Sequence, residues 1–147
     1  MKVKFFKNRK TVIIPLILII VCIVVYLIFA IPIIERHTWK LSFAQQTEPY
    51  IVIAHDKDYD LSDDGLLFGA SKPIELTCEA KNGKLTITDK TNGKVYKGTY
   101  KVTSFKPYQS YKIVIDGKEG IANISNTDIF NRTLFMSIDG YALNFSS

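Results

Sequence analysis

The sequence predicts an all-β domain, an antiparallel up-and-down meander closed into a barrel, preceded by one N-terminal transmembrane helix. Three observations predict it. Residues Thr11 to Ile34 run without a single charge. Past residue 38, apolar and polar side chains alternate with a period of two, as in sheet with one buried face and one wet face. Asn-Gly and Asp-Gly pairs punctuate that alternation at 82–83, 92–93, 116–117 and 139–140, where tight hairpins need positive φ.

The uncharged run comes first in the chain. As a helix it reaches roughly 36 Å, enough for a hydrocarbon core of about 30 Å with some tilt. A cleaved signal peptide has an apolar core of about 7–15 residues and a small-x-small site. Here the run is longer, and Ala30 has Ile28 where the second small residue should stand. Cys22 follows the bulky Val21 and is itself followed by more apolar sequence, which disfavours a lipidated cysteine. An uncleaved signal-anchor is therefore expected.

The flanks set its orientation. Lys2, Lys4, Lys7, Arg9 and Lys10 precede the run, whereas Arg36 and Lys40 follow it. Excess Lys and Arg stay in the cytoplasm. Residues 1–10 are then a cytoplasmic basic tail, 11–34 the transmembrane helix, and 35–147 an extracytoplasmic β domain of a single-pass cell-membrane protein. Phe5 and Phe6 among the cations suit an anionic leaflet. Pro15 and Pro32 lie near the ends of the run, where a lost backbone hydrogen bond costs least. The chain has 19 Lys+Arg against 14 Asp+Glu, a net +5, and the tail cations account for that excess. The β domain is electroneutral, so the basic balance reports topology and gives no reason to expect nucleic acid.

The strands follow in order. Trp39, Leu41 and Phe43 alternate with Lys40 and Ser42, giving a first strand over Trp39–Ala44, and Tyr50–His55 reads as a second. Ile74, Leu76, Cys78 and Ala80 share one face of the next, and Leu85 and Ile87 share one face of its hairpin partner. Tyr96, Tyr100 and Val102 lie opposite Lys97, Thr99, Lys101 and Thr103. Tyr111, Ile113 and Ile115 precede Leu134, Met136 and Ile138, then Tyr141, Leu143 and Phe145. Larger gaps fall at Lys106–Gln109 and Ser125–Arg132, and one helical turn is expected near Asp63 to Phe68. About nine short strands in sequence order favour closure, which removes exposed edges; the alternative is a two-sheet β-sandwich.

The stretch Gly93 to Val102, then Tyr111 to Asp116 and Thr133 to Phe145, opened by a strand carrying Trp39, resembles small bacterial lipocalin-like (calycin-type) domains. His37 stands where that family places Gly, two residues before the Trp. The resemblance implies a barrel whose mouth or interior holds a small apolar ligand, and it carries over no specific binding residue. A Lys-, Ile- and Asn-rich composition points the same way, to a low-GC bacterium, in which the sequons at Asn123, Asn131 and Asn144 mean little.

Candidate chemistry is sparse. Asp60, Ser62 and Asp64 with Gly65 match the opening half of a calcium loop, but Ser71 stands where a bidentate Glu should close the shell. A weak calcium site is one reading and a solvated acidic loop the other; no other cofactor is expected. His37 and His55 are the only histidines, with His55 expected as an exposed strand-end residue. No Gly-x-Ser-x-Gly elbow accompanies them, so a surface hydrolase lacks an activated nucleophile and no enzyme is expected. Cys78, on an inward face, reads as a small buried apolar group. Trp39, Tyr96, Tyr100, Tyr111 and Tyr141 either line a ligand cavity or simply fill a small barrel.

The sequence thus predicts a membrane-anchored binding module for a small apolar ligand or an envelope protein partner. The alternative is an accessory subunit or immunity-type membrane protein with no small-molecule ligand. A cavity of several hundred Å3 inside the barrel separates the two.

Overall fold

The computed structural model describes residues 9–48, 50–59, 72–104, 109–126 and 131–147, with the side chains at 9–12, 27–30, 50 and 126 outside the description. The expected calcium-loop residues Asp60, Ser62 and Asp64, and the helical turn near Asp63 to Phe68, lie outside the described residues.

The chain divides into two compact units between Pro32 and Ile33. The first holds α1, Arg9–Ala30. Its described apolar side chains, at positions 13–26, are exposed, from Val25 at 46% to Tyr26 at 71%. Among the described residues no helix is long and apolar enough to cross a membrane. The side chains described in α1 cover residues 13–26, about 21 Å at 1.5 Å per residue. The helix stops at Ala30, two residues short of Pro32. Ile33 and Ile34, which the uncharged run joins to the helix, belong to the second unit as the start of a 3-10 turn over Ile33–Arg36.

The second unit is all β. In chain order it comprises β1 (Trp39–Thr47), β2 (Tyr50–His55), β3 (Lys72–Pro73), β4 (Leu76–Lys81), β5 (Lys84–Asp89), β6 (Lys94–Ser104), β7 (Gln109–Ile115), β8 (Lys118–Asn126), β9 (Arg132–Ile138) and β10 (Tyr141–Ser146). From β4 to β10 each strand pairs antiparallel with the next, and β1 pairs with both β4 and β10. The result is a closed eight-stranded meander, a barrel and not a sandwich. Asn82, Asp116 and Asp139 take φ of 51°, 48° and 52°, each followed by a glycine at positive φ, as the hairpin dipeptides predict.

β2 and β3 are an addition to that ring. The same edge of β1 pairs with β4 only at Trp39 and Lys40, then with β2 from Phe43 to Thr47. β1 bulges between Leu41 and Phe43 against β10, and again between Ala44 and Gln45 against β2. A bulge turns the following side chains to the opposite face. Leu41 and Ala44 therefore both face inward and join the core, whereas Phe43 faces outward.

The interior follows the period-two pattern. Trp39, Leu41, Cys78, Leu85, Ile113, Ala122, Leu134, Met136 and Phe145 are all buried in one core. Small residues make room for large neighbours. A Cβ on Gly98 would lie 2.2 Å from the Val114 carbonyl oxygen, and one on Gly120 would lie 2.5 Å from that of Ser137. These two positions let β6 and β8 coil tightly enough for the ring to close.

The two ends of the barrel differ. At one end, where the chain enters, the 3-10 turn lies against β4 and Ile34 is fully buried. At the other end are the tight turns at 116–117 and 139–140, and no such plug is found there among the described residues.

Candidate functional site

The open end contains the candidate site. A cavity of about 330 Å3 reaches into the barrel, walled by Leu41, Ala44, Leu76, Ile87, Ile115, Ile138 and Leu143, with Ile53, Tyr96 and Tyr141 toward its mouth. Each of these strands contributes an inward position near its open-end terminus, which is why the lining is almost wholly aliphatic. Ile51, Ile53 and Tyr141 are exposed to 36%, 41% and 39%, so the apolar lining continues onto the rim.

Among the described residues Asp89 is the one carboxylate in this lining. It is committed to the turn after β5. Its Oδ1 accepts from the backbone N–H groups of Thr91 (2.9 Å) and Asn92 (3.0 Å), and its Oδ2 accepts from Asn92 Nδ2 (2.8 Å). Burial pushes its pKa up, and these hydrogen bonds together outweigh that and hold it below the usual value. The cavity therefore offers volume and apolar surface, and chemically little else.

Of the aromatic residues that the sequence marks as cavity candidates, the structure brings Tyr96 and Tyr141 to the cavity. Lys94 Nζ sits 4.7 Å above the Tyr96 ring. Trp39, Tyr100 and Tyr111 sit at the opposite end instead, where they fill space. Trp39 is fully buried, donates from Nε1 to the Ile34 carbonyl oxygen at 2.9 Å, and meets the His37 ring edge-on at 5.3 Å. Tyr100 and Tyr111 pack edge-to-face at 5.6 Å. Tyr100 OH donates to Glu35 Oε1, and Tyr111 OH donates to Gln109 Oε1. The backbone N–H of Ile33 donates to the same Gln109 oxygen at 2.8 Å, and that of Ile34 donates to Tyr111 OH at 3.3 Å. Burial raises both phenol pKa values, that of Tyr111 to about 12, so both stay protonated donors. This network fastens the plug to the barrel.

The remaining candidates are structural in their surroundings. The sequence places His55 at the surface, whereas it is 6% exposed, because Tyr59 packs over it and over its β1 partner Phe43. Its Nδ1 lies 2.5 Å from the Asp56 carbonyl oxygen. His37 Nε2 lies 3.3 Å from an Arg132 nitrogen; burial, then Arg132 and Arg36, lower its pKa. Cys78 is fully buried, and burial pushes its thiol up to about 12, so the nucleophilic thiolate is suppressed at neutral pH. Among the described residues no group of three His, Cys, Asp or Glu side chains is placed to hold a metal ion.

Sequence reasoning singled out aromatic side chains and passed over the aliphatic residues that wall the cavity. The available signal was size: Ala44 is a small residue at an inward position, and it borders the cavity. The Ile33–Arg36 plug was missed because its two isoleucines extend the apolar run. No protein-family model, curated protein or solved structure matches the chain.

Proposed function

We propose that this protein is a single-span membrane protein with a lipocalin-like barrel outside the cell, and that it binds a small apolar molecule in the barrel's open end. The cavity carries this reading: about 330 Å3 bounded by aliphatic side chains, within the usual size range for small-molecule sites. A barrel meant only as a scaffold gains stability by filling such space, as this one does at its closed end. Membrane anchoring rests on the uncharged run Thr11 to Ile34, on the cations before it, and on the exposure of the apolar side chains described at 13–26. The apolar rim at Ile51, Ile53 and Tyr141 favours the second reading, a neighbouring envelope protein docked at the mouth.

Purifying the full-length protein from its native membrane, with mass spectrometry of what travels with it, tests the two. The ligand reading expects a small apolar molecule that is absent from an Ile138→Trp variant, whose larger side chain fills the cavity. A stoichiometric membrane protein with no small molecule would favour the second reading and contradict the first.

A further inference from the structure

A second cleft lies on the side of the barrel. It measures about 370 Å3 and is lined by Lys40 and Leu41 of β1, Asp56 to Asp58 after β2, Pro73 to Leu76 and Thr91. Three of these residues, Leu41, Ile74 and Leu76, also wall the apolar cavity at the open end. The two spaces therefore share part of their walls.

The topology explains the seam. One edge of β1 cannot pair with β4 and β2 along the same length, so it leaves β4 after Lys40 and takes up β2 at Phe43. The chain before β4 spans the divergence. Ile74 donates its N–H to the His55 carbonyl oxygen at 2.7 Å, and Glu75 accepts from the Lys90 N–H at 2.8 Å. Backbone pairing here is sparse compared with the continuous ladders elsewhere in the ring.

The outer walls of the cleft carry both signs of charge. Lys40 and Lys57 stand with Asp56, Asp58 and Glu75, and Glu75 is itself ion-paired to Lys90 at 2.7 Å. Charged walls of both signs against an aliphatic interior describe an amphiphile with a zwitterionic head. We infer that this cleft is a side door holding the head of a single-chain zwitterionic amphiphile whose tail lies in the barrel, with Lys40 and Lys57 facing an anionic group and Asp56 and Asp58 an ammonium. At roughly 30 Å3 per small group, the inner cavity takes a tail of about ten methylenes. The inference rests on the ligand reading of the barrel and adds to it the class of ligand and the place of its head.

The test uses full-length protein in amphipol, titrated calorimetrically with n-decylphosphocholine and with 1-decanol, both below their aggregation concentrations. Both probes should bind. The double variants Lys40→Gln/Lys57→Gln and Asp56→Asn/Asp58→Asn should each weaken decylphosphocholine by about tenfold, the worth of one charge-assisted hydrogen bond, and leave decanol unchanged within about twofold. Binding of both probes with no selective loss of decylphosphocholine, whether both weaken equally or neither does, overturns the side door while the barrel reading stands. Failure of both probes to bind the unaltered protein overturns the barrel reading, and the side door with it.

Discussion

The two ends of this barrel are built from the same eight strands and the same inward alternation, yet one is filled and the other is hollow. The difference lies in which side chains occupy the inward positions and in what the chain adds at each end. At the closed end Trp39, Tyr100, Tyr111 and Phe145 supply bulk, and the Ile33–Arg36 turn supplies one donor and two acceptors that the phenols and indole satisfy. At the open end the inward positions are Ile87, Ile115, Ile138 and Leu143, opposite Ala44, and no equivalent plug is present among the described residues. Apolar packing density at one end and apolar volume at the other teach the same lesson: the strands fix the ring, and residue size decides where it is solid.

The contrast breaks most visibly at Trp39. Trp39→Ala deletes a fully buried indole and its hydrogen bond to the plug, and should cost about 3–5 kcal/mol, lowering Tm by more than about 10 °C in thermal unfolding followed by circular dichroism. A loss under about 1 kcal/mol would mean the closed end is not the stabilising core.

A matched pair of truncations sharpens it. Leu134 is fully buried near the closed end, whereas Leu143 is partly buried and walls the cavity. Leu134→Ala should cost about 2–5 kcal/mol. Leu143→Ala should cost roughly 1 kcal/mol, because the removed atoms already border open space. Equal losses in chemical denaturation would contradict a hollow open end.

Asp89 provides a smaller effect with a defined pH signature. Its folded pKa is depressed, so its contribution is present above the ordinary carboxylate pKa of about 4 and is lost as pH falls through the folded value. Asp89→Asn should cost about 1 kcal/mol at pH 7 and flatten the fall in stability seen for the unaltered protein below about pH 4. Parallel pH profiles for the two proteins would rule this out.

The smallest effect is expected at the open-end rim, where Lys118 pairs with Asp139 across the turns. Asp139 raises the lysine pKa, but both side chains are mostly exposed, and water screens the pair. Lys118→Ala should leave the unfolding midpoint unchanged within error.

Much of the ring was legible in the sequence because hairpins state their own registers. Asn82-Gly83, Asp116-Gly117 and Asp139-Gly140 fix the pairing of their flanking strands, and alternation then assigns Leu85, Ile113, Leu134 and Phe145 to the interior. The branch of β1 toward β2 was not legible. It depends on two bulges, and nothing local marks a bulge in Leu41-Ser-Phe-Ala44. Which of the aromatic residues reach the cavity was not legible for a related reason. A Tyr at an inward position fits a ligand site or a packed end equally well, and only the height of each residue along the barrel axis separates Tyr96 from Tyr100, both on β6. His55 was read as exposed since the covering ring, Tyr59, lies beyond the strand itself.

Methyl-resolved NMR of the full-length protein in amphipol, titrated with 1-decanol, tests the hollow end most directly. The account predicts saturable shifts at Ile87, Ile115, Ile138 and Leu143, with Leu85, Ile124 and Leu134 unmoved. Shifts confined to α1, or spread equally over both ends of the barrel, would contradict it.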